Sequence, residues 1–383
     1  MVELETLVKK PLALYIHWPF CLSKCPYCDF NSHVAGKVDH NQWLKAYLSE
    51  LDYFSDIIST SQITSIFFGG GTPSLMNPEI VYGILNKIKP GNIEITLEAN
   101  PTSIEVNKFK LFHEAGINRV SVGVQALDNE SLKFLGRTHD SLHATRAIEI
   151  ARSIFSRYSF DLIYARPNQT LKEWEAELLQ AIKLAGDHMS LYQLTIEKGT
   201  PFYNQYKKNV FTIPDSDQAH DLYELTGAIT KDAGFNSYEI SNYAKLNGES
   251  VHNMAYWRYD NYLGIGPGAH SRINGSAIMM VHNPDKWLAK VKEEKVGIQS
   301  QTELTSLEIL TEILLMGLRI DEGIKVSKFE EFFGAKPEFL LPNLGGLIEG
   351  NFIEYNNNVV RATSSGKLLL NKVISKLTEK IMI

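Results

Sequence analysis

Cys21, Cys25 and Cys28 are the only cysteines in the chain, and they stand in one short loop, CLSKCPYC, with three and then two residues between them. Thiolates at that spacing can converge on a single metal centre, and their number restricts which one. A structural zinc site closes its tetrahedron with four protein ligands, and a ferredoxin-type cluster uses four cysteines. Three thiolates leave one coordination position for another molecule. His17 or His33 would complete a three-cysteine, one-histidine zinc site, so a zinc-stabilised binding module is the competing reading of the same loop.

The other residues able to do chemistry stand where apolar runs end. Gly69, Gly70, Gly71, Thr72 and Pro73 follow ITSIFF, and glycines without a Cβ let a ligand lie against the backbone. Glu98 closes the run NIEITLE, where a carboxylate can accept hydrogen bonds from hydroxyls or an ammonium group. Gln125 ends RVSVGVQ, Arg137 follows in LGRTH, and Asp161 lies inside SFDLIYARP. A charged aspartate in an apolar run is costly to bury without a partner. Arg137 or a ligand hydroxyl is the expected one.

Six strands must carry these residues: LALYIHW, ITSIFF, NIEITLE, RVSVGVQ, SFDLIYA and MSLYQLTIE, the last over Met189 to Glu197. Helical segments are expected near 42–58, 78–88, 104–115 and 142–155. This alternation is that of right-handed βα units on a parallel sheet. Functional residues at strand C-termini match the catalytic face of a βα barrel. Six units are too few for the usual eight, so the fold class is α/β, a partial, open (β/α)6 barrel. The glycine-dense LGIGPGAHS lacks the context of a dinucleotide fold and reads as a tight loop. Three regions are expected: the barrel over 1–240, a connecting region packed on it over 241–300, and a mainly helical, winged-helix-like subdomain over 301–383, with the hairpin FIEY-NNN-VVRA.

The chain has 383 residues, 44% hydrophobic and 21% charged, as in ordinary globular proteins. A net charge of −6 and a pI near 6.0 argue against a nucleic-acid partner. Clustered, reduced cysteines fit the cytoplasm. The apolar run near the N-terminus is too short for a signal peptide or a spanning helix, and no other stretch reaches that length.

The loop C-x3-C-x2-C with Tyr27 before its last cysteine resembles the signature of the radical S-adenosylmethionine (SAM) superfamily. YIHWPFCLSKCPYC, FGGGTP, EANP, RVSVGVQ, LGRTH and DLIY together resemble its group of oxygen-independent coproporphyrinogen III dehydrogenases, HemN, and the related haem chaperones, HemW. The resemblance implies a [4Fe-4S] cluster on Cys21, Cys25 and Cys28, with SAM chelated at the open iron. It also implies SAM contacts at Tyr15, Tyr27, Gly70, Gly71, Thr72, Glu98, Gln125, Arg137 and Asp161.

Two features turn the resemblance toward the chaperones. The dehydrogenases carry a longer N-terminal segment and a further cysteine two residues past the motif; here fourteen residues precede Tyr15, and Phe30 occupies the cysteine position. The stretch His252-Asn253-Met254-Ala255-Tyr256-Trp257 resembles the HNxxYW mark of HemW. That implies haem as ligand, with His252 as its iron ligand from a loop, His270 as second choice, and Tyr256 and Trp257 stacked on the porphyrin. It further implies acceptor haemoproteins as partners, membrane-associated respiratory proteins among them; a homodimer is compatible with it. The rival reading is an enzyme that decarboxylates coproporphyrinogen III. One departure stands out: the loop that reads DLIYGLPGQT in the group is DLIYARPNQT here. Asn168 tolerates a left-handed turn, and Arg166 is left to a haem propionate or to water.

Overall fold

The computed structural model describes residues 9–34, 36–379 and 381. Strand β1 (Pro11–Trp18) is buried along nearly its whole length, the pattern of a strand covered on both faces. Beside it lie, in order and all parallel, β2 (Gln62–Gly70), β3 (Glu94–Ala99), β4 (Arg119–Gln125), β5 (Arg157–Tyr164) and β6 (His188–Gln193). Amphipathic helices such as His40–Tyr53, Pro78–Ile88, Ser141–Ile154 and Leu171–Leu184 connect them and cover the sheet.

Six further strands extend the sheet: β7 (Asn236–Ser237), β8 (Asn242–Ala244), β9 (Asn261–Ile265), β10 (His270–Ile273), β11 (Ser276–Met280) and β12 (Ile298–Glu303). The order is β12-β11-β10-β9-β1-β2-β3-β4-β5-β6-β8-β7, so the sheet is open, with β12 and β7 as its edges. Strand β9 runs parallel to β1, pairing Tyr15 with Gly264 and Ile16 with Ile265. The expected six parallel strands are therefore seven, and LGIGPGAHS is not one loop. Its first three residues end β9, His270 begins β10, and only the residues between them turn. The cause lies in β1, whose second edge would otherwise leave a row of buried backbone groups unpaired.

A buried carboxylate fastens this late segment to an early helix. Glu50, on helix His40–Tyr53, accepts from the Gly266 and Gly297 amides and from Trp287 Nε1 at 2.8–2.9 Å. Burial pushes its carboxyl up to about 7 against the pull of those three donors.

The C-terminal unit has its own core, which includes Leu314, Phe329, Leu344, Val360 and Leu377. Helix Ser306–Gly317 opens on a capping box formed by Thr305 and Glu308. The hairpin Ile353–Asn356 and Val359–Ala362 turns on Asn357 and Asn358, both with positive φ. Ile324–Lys325 adds a third strand, completing a wing. Strand β12 runs through position 301 and pairs with β11 in the main sheet, so the separate unit begins after Glu303.

Candidate functional site

The cysteine loop leaves β1 and is closed at its base by Phe20–Cys21 pairing with His33–Val34. The glycine run at the end of β2 lies directly against it. The Gly71 amide donates to the Trp18 carbonyl at 2.7 Å and the Thr72 amide to that of Phe20 at 2.9 Å. A Cβ on Gly71 would stand 2.8 Å from the Phe20 oxygen, and one on Gly70, at φ +112°, would fall on the His17 ring. These glycines thus make room for the chain's own backbone, while their outer surface lines a cavity.

That cavity, of about 140 Å³, collects every residue expected at the cluster or SAM except Tyr15. Each sulfur in it meets a donor. Thr72 Oγ1 lies 3.3 Å from Cys21 Sγ, Arg137 Nη1 lies 3.2 Å from Cys25 Sγ, and Ser32 Oγ lies 3.7 Å from Cys28 Sγ. Burial pushes the Cys21 thiol up, against the pull of the Thr72 hydroxyl.

The zinc alternative loses one of its two candidate fourth ligands. His17 uses one ring nitrogen on the Tyr15 hydroxyl at 3.0 Å and the other on the Asn31 carbonyl at 2.9 Å. His33 Nε2 is engaged by Asn31 Oδ1 at 2.8 Å. Among the described residues, no three or more His, Cys, Asp or Glu side chains converge at single-ion spacing. A cubane cluster takes each thiolate on a different iron and wants the sulfurs spread around a wider centre. The donor set fits that group, with one corner left to the polar wall of the cavity.

Two carboxylates form that wall. Glu98 accepts from the Gly70 amide at 3.1 Å, and Asp161 accepts from the Ser121 hydroxyl at 3.4 Å. Burial first, and the neighbouring Asp161 second, push Glu98 up to about 8; burial pushes Asp161 to about 6. The expected Asp161–Arg137 pair does not form. Arg137 donates instead to Cys25, to Asn100, to the Gly123 carbonyl at 2.9 Å and to the Tyr27 hydroxyl at 3.4 Å. Gln125 ends β4 on a bulge with φ +72°, a conformation that costs a non-glycine residue on the order of 1 kcal/mol or more and that collects at functional sites.

Asn100 is the residue the sequence reading passed over. It donates to Thr72 Oγ1 at 3.0 Å and accepts from Arg137, linking the donors of two cysteines. A polar side chain before proline at a strand end was its signal.

The remaining candidates lie elsewhere. Tyr15 faces a second cavity, on the β1–β9 side. His252 was expected on a loop and sits instead on helix Val251–Trp257, N-capped by Ser250 and only 2% exposed. Its Nδ1 meets Ser65 Oγ at 2.9 Å, its Nε2 meets the Tyr256 hydroxyl at 3.0 Å, and its ring stacks on Phe67. Burial lowers it to about 3, and both nitrogens are occupied, so the ring turns no lone pair to a cavity. Arg166 is buried against Glu177 at 2.5 Å, with Asp128 at 3.5 Å. Asn168 takes the left-handed turn at φ +59°, and Ala165 does so at +55°.

Two larger cavities flank the cysteine site. One of about 590 Å³ opens past Asp161 among Tyr164, Tyr192, Tyr223 and Leu194; the other, of about 490 Å³, is the one that Tyr15 faces. Glu98 and Phe30 line all three.

The family model described as the radical SAM superfamily matches residues 15–208, and that of the HemN C-terminal domain matches 304–369. The chain is 36% identical to the heme chaperone HemW of Haemophilus influenzae, covering 97% of this chain and 99% of that one. It is 35% identical to the mitochondrial radical S-adenosyl methionine domain-containing protein 1 of Danio rerio, over 94% of this chain and 86% of that one. The solved coproporphyrinogen III oxidase (HemN) of Escherichia coli superposes with a TM-score of 0.79 at 22% identity, over 97% of this chain and 91% of that one, a likeness of fold. Family models over both units and relatives matched almost end to end agree with the loop geometry: the chain belongs to the radical SAM superfamily, in its HemN/HemW group.

Proposed function

We propose that the protein is a haem chaperone: it binds haem and passes it to acceptor haemoproteins, membrane-associated respiratory proteins among them, from the cytoplasm. A [4Fe-4S] cluster on Cys21, Cys25 and Cys28 would bind SAM at its open iron and supply redox and Lewis-acid chemistry there. The observation that carries the reading is the near-complete match, at 34–36% identity, to bacterial proteins named heme chaperone HemW. No helix among the described residues is long and apolar enough to cross a membrane.

The chain's own residues divide the work. Thr72, Arg137 and Ser32 hold the thiolates by donating to sulfur, and Asn100 braces the first two. Glu98 and Asp161 offer carboxyl oxygens toward the amino group and ribose of SAM. Gln125 and Tyr27 line the same cavity. Phe30, 63% exposed, stands at the mouth where a further thiol would otherwise lie.

Anaerobic purification with iron, sulfide and haem quantification, followed by haem titration and a coproporphyrinogen assay under reducing conditions, tests this. Saturable haem binding without porphyrinogen conversion is the expected result. Decarboxylation of coproporphyrinogen III would replace the chaperone with the dehydrogenase.

A further inference from the structure

We propose that haem occupies the cavity on the β1–β9 side, with its iron bound from the rim by His270 or His282 and with His252 as a positioning residue that holds the porphyrin-facing Tyr256. This rests on the haem-binding reading above and adds where the ligand sits and what holds it.

The choice of cavity follows from chemistry. Both large cavities fall within the volume range of ligand sites, roughly 300–1,000 Å³. The one past Asp161 contains no histidine and adds Asp29, Asp161 and Glu197 to Glu98, an acidic lining that opposes two propionates. Among the described residues, the β1–β9 cavity has Glu98 as its sole carboxylate, walls of Tyr15, Tyr256 and Tyr262, and His270 and His282 at its edge. Tyrosine rings supply large, flat surface for stacking. The Tyr256 and Tyr262 rings meet edge to face at 4.6 Å and so brace one another.

The choice of iron ligand follows from hydrogen bonding. Neutral imidazole with a free ring nitrogen is the usual axial donor. His17 and His252 have both nitrogens engaged. His270 and His282 are exposed, and neither ring makes a hydrogen bond to any described residue. Their backbone is nonetheless fixed. His270 begins β10, opposite Met279, and the His282 carbonyl accepts from Asn31 Nδ2 at 3.0 Å. That same Asn31 follows the cysteine loop, and Phe30 and Glu98 are shared with the cysteine cavity. Haem here would lie beside the cluster and not on top of it.

Full-length protein with its cluster reconstituted anaerobically is titrated with haem and followed by Soret absorbance and magnetic circular dichroism. Four variants are compared: His270→Ala, His282→Ala, the two combined, and His252→Gln. Iron content and SAM binding serve as folding controls. The combined variant should lose the histidine-ligation signature and weaken binding on the order of tenfold or more, and one single variant should reproduce the spectral change. His252→Gln should weaken binding yet keep that signature. A combined variant with wild-type spectrum and affinity overturns the inference while leaving the chaperone standing, as does a signature lost only in His252→Gln. Wild-type protein that takes up no haem removes the functional reading itself, and this inference with it.

Discussion

Strand β3 carries two carboxylates on one face, Glu94 at its start and Glu98 at its end, and their surroundings are opposites. Glu94 pairs with Arg157 and lies 3.8 Å from Arg119, and its other oxygen accepts from the Val251 amide at 2.9 Å. Glu98 has the Gly70 amide and, among the described residues, no ion-pair partner, and it opens on three cavities. Three residues separate a carboxylate that is satisfied from one that is left partly unmatched. The lower end of the sheet is built to hold; the upper end keeps its polar atoms for a ligand, as the division of labour in βα folds requires.

The widest test of that division replaces a thiolate. Cys25→Ser should abolish the iron and acid-labile sulfide of anaerobically prepared protein while its far-ultraviolet dichroism stays unchanged; full iron retention would break the contrast at its centre. The lower end should fail in the opposite way. Glu94→Ala strands Arg119 in the interior and takes from Arg157 one of its two carboxylate partners, and breaking such a buried pair costs about 3–5 kcal/mol, read as a large fall in the denaturation midpoint.

Glu98→Gln sharpens the comparison on one strand. It should weaken SAM binding on the order of tenfold, measured by calorimetry, with the denaturation midpoint at neutral pH held or raised. The sign with pH is fixed. Because the folded protein retains the Glu98 proton up to about 8 against an ordinary value of 4.5, it binds more protons than the unfolded chain between those values, and stability falls as pH rises through that window. Glu98→Gln should flatten the fall, and midpoints at pH 5 and pH 8 that shift equally in both proteins would refute it. The smallest effect is expected from Asn168→Ala at the left-handed turn, about 1 kcal/mol, with SAM and haem binding unaltered.

The upper end was the more legible half of the sequence. A three-cysteine loop, a glycine run and acidic or amide residues at strand ends are local signals, and they converge on one cavity. The parts that were not legible depend on distant partners. Strand β9 was hidden because the strand and helix ahead of it, β8 and Val251–Trp257, are too short to show a βα repeat, although an apolar β1 with two edges asks for two neighbours. Arg166 read as a loose charge because Glu177, which neutralises it, comes from the following helix. His252 read as a loop residue even though Ser250 is a capping residue and Tyr256 lies one turn further along, the spacing of helical neighbours.

The pairing of β1 with β9 has a consequence for biogenesis. The strand that delivers the cysteines leaves the ribosome well before β9, which flanks it on the far side. Until Asn261–Ile265 docks and Glu50 clasps Gly266, the thiols stand on a sheet with a bare flank. A translation product truncated before Asn261 would expose a sticky margin and its thiols together.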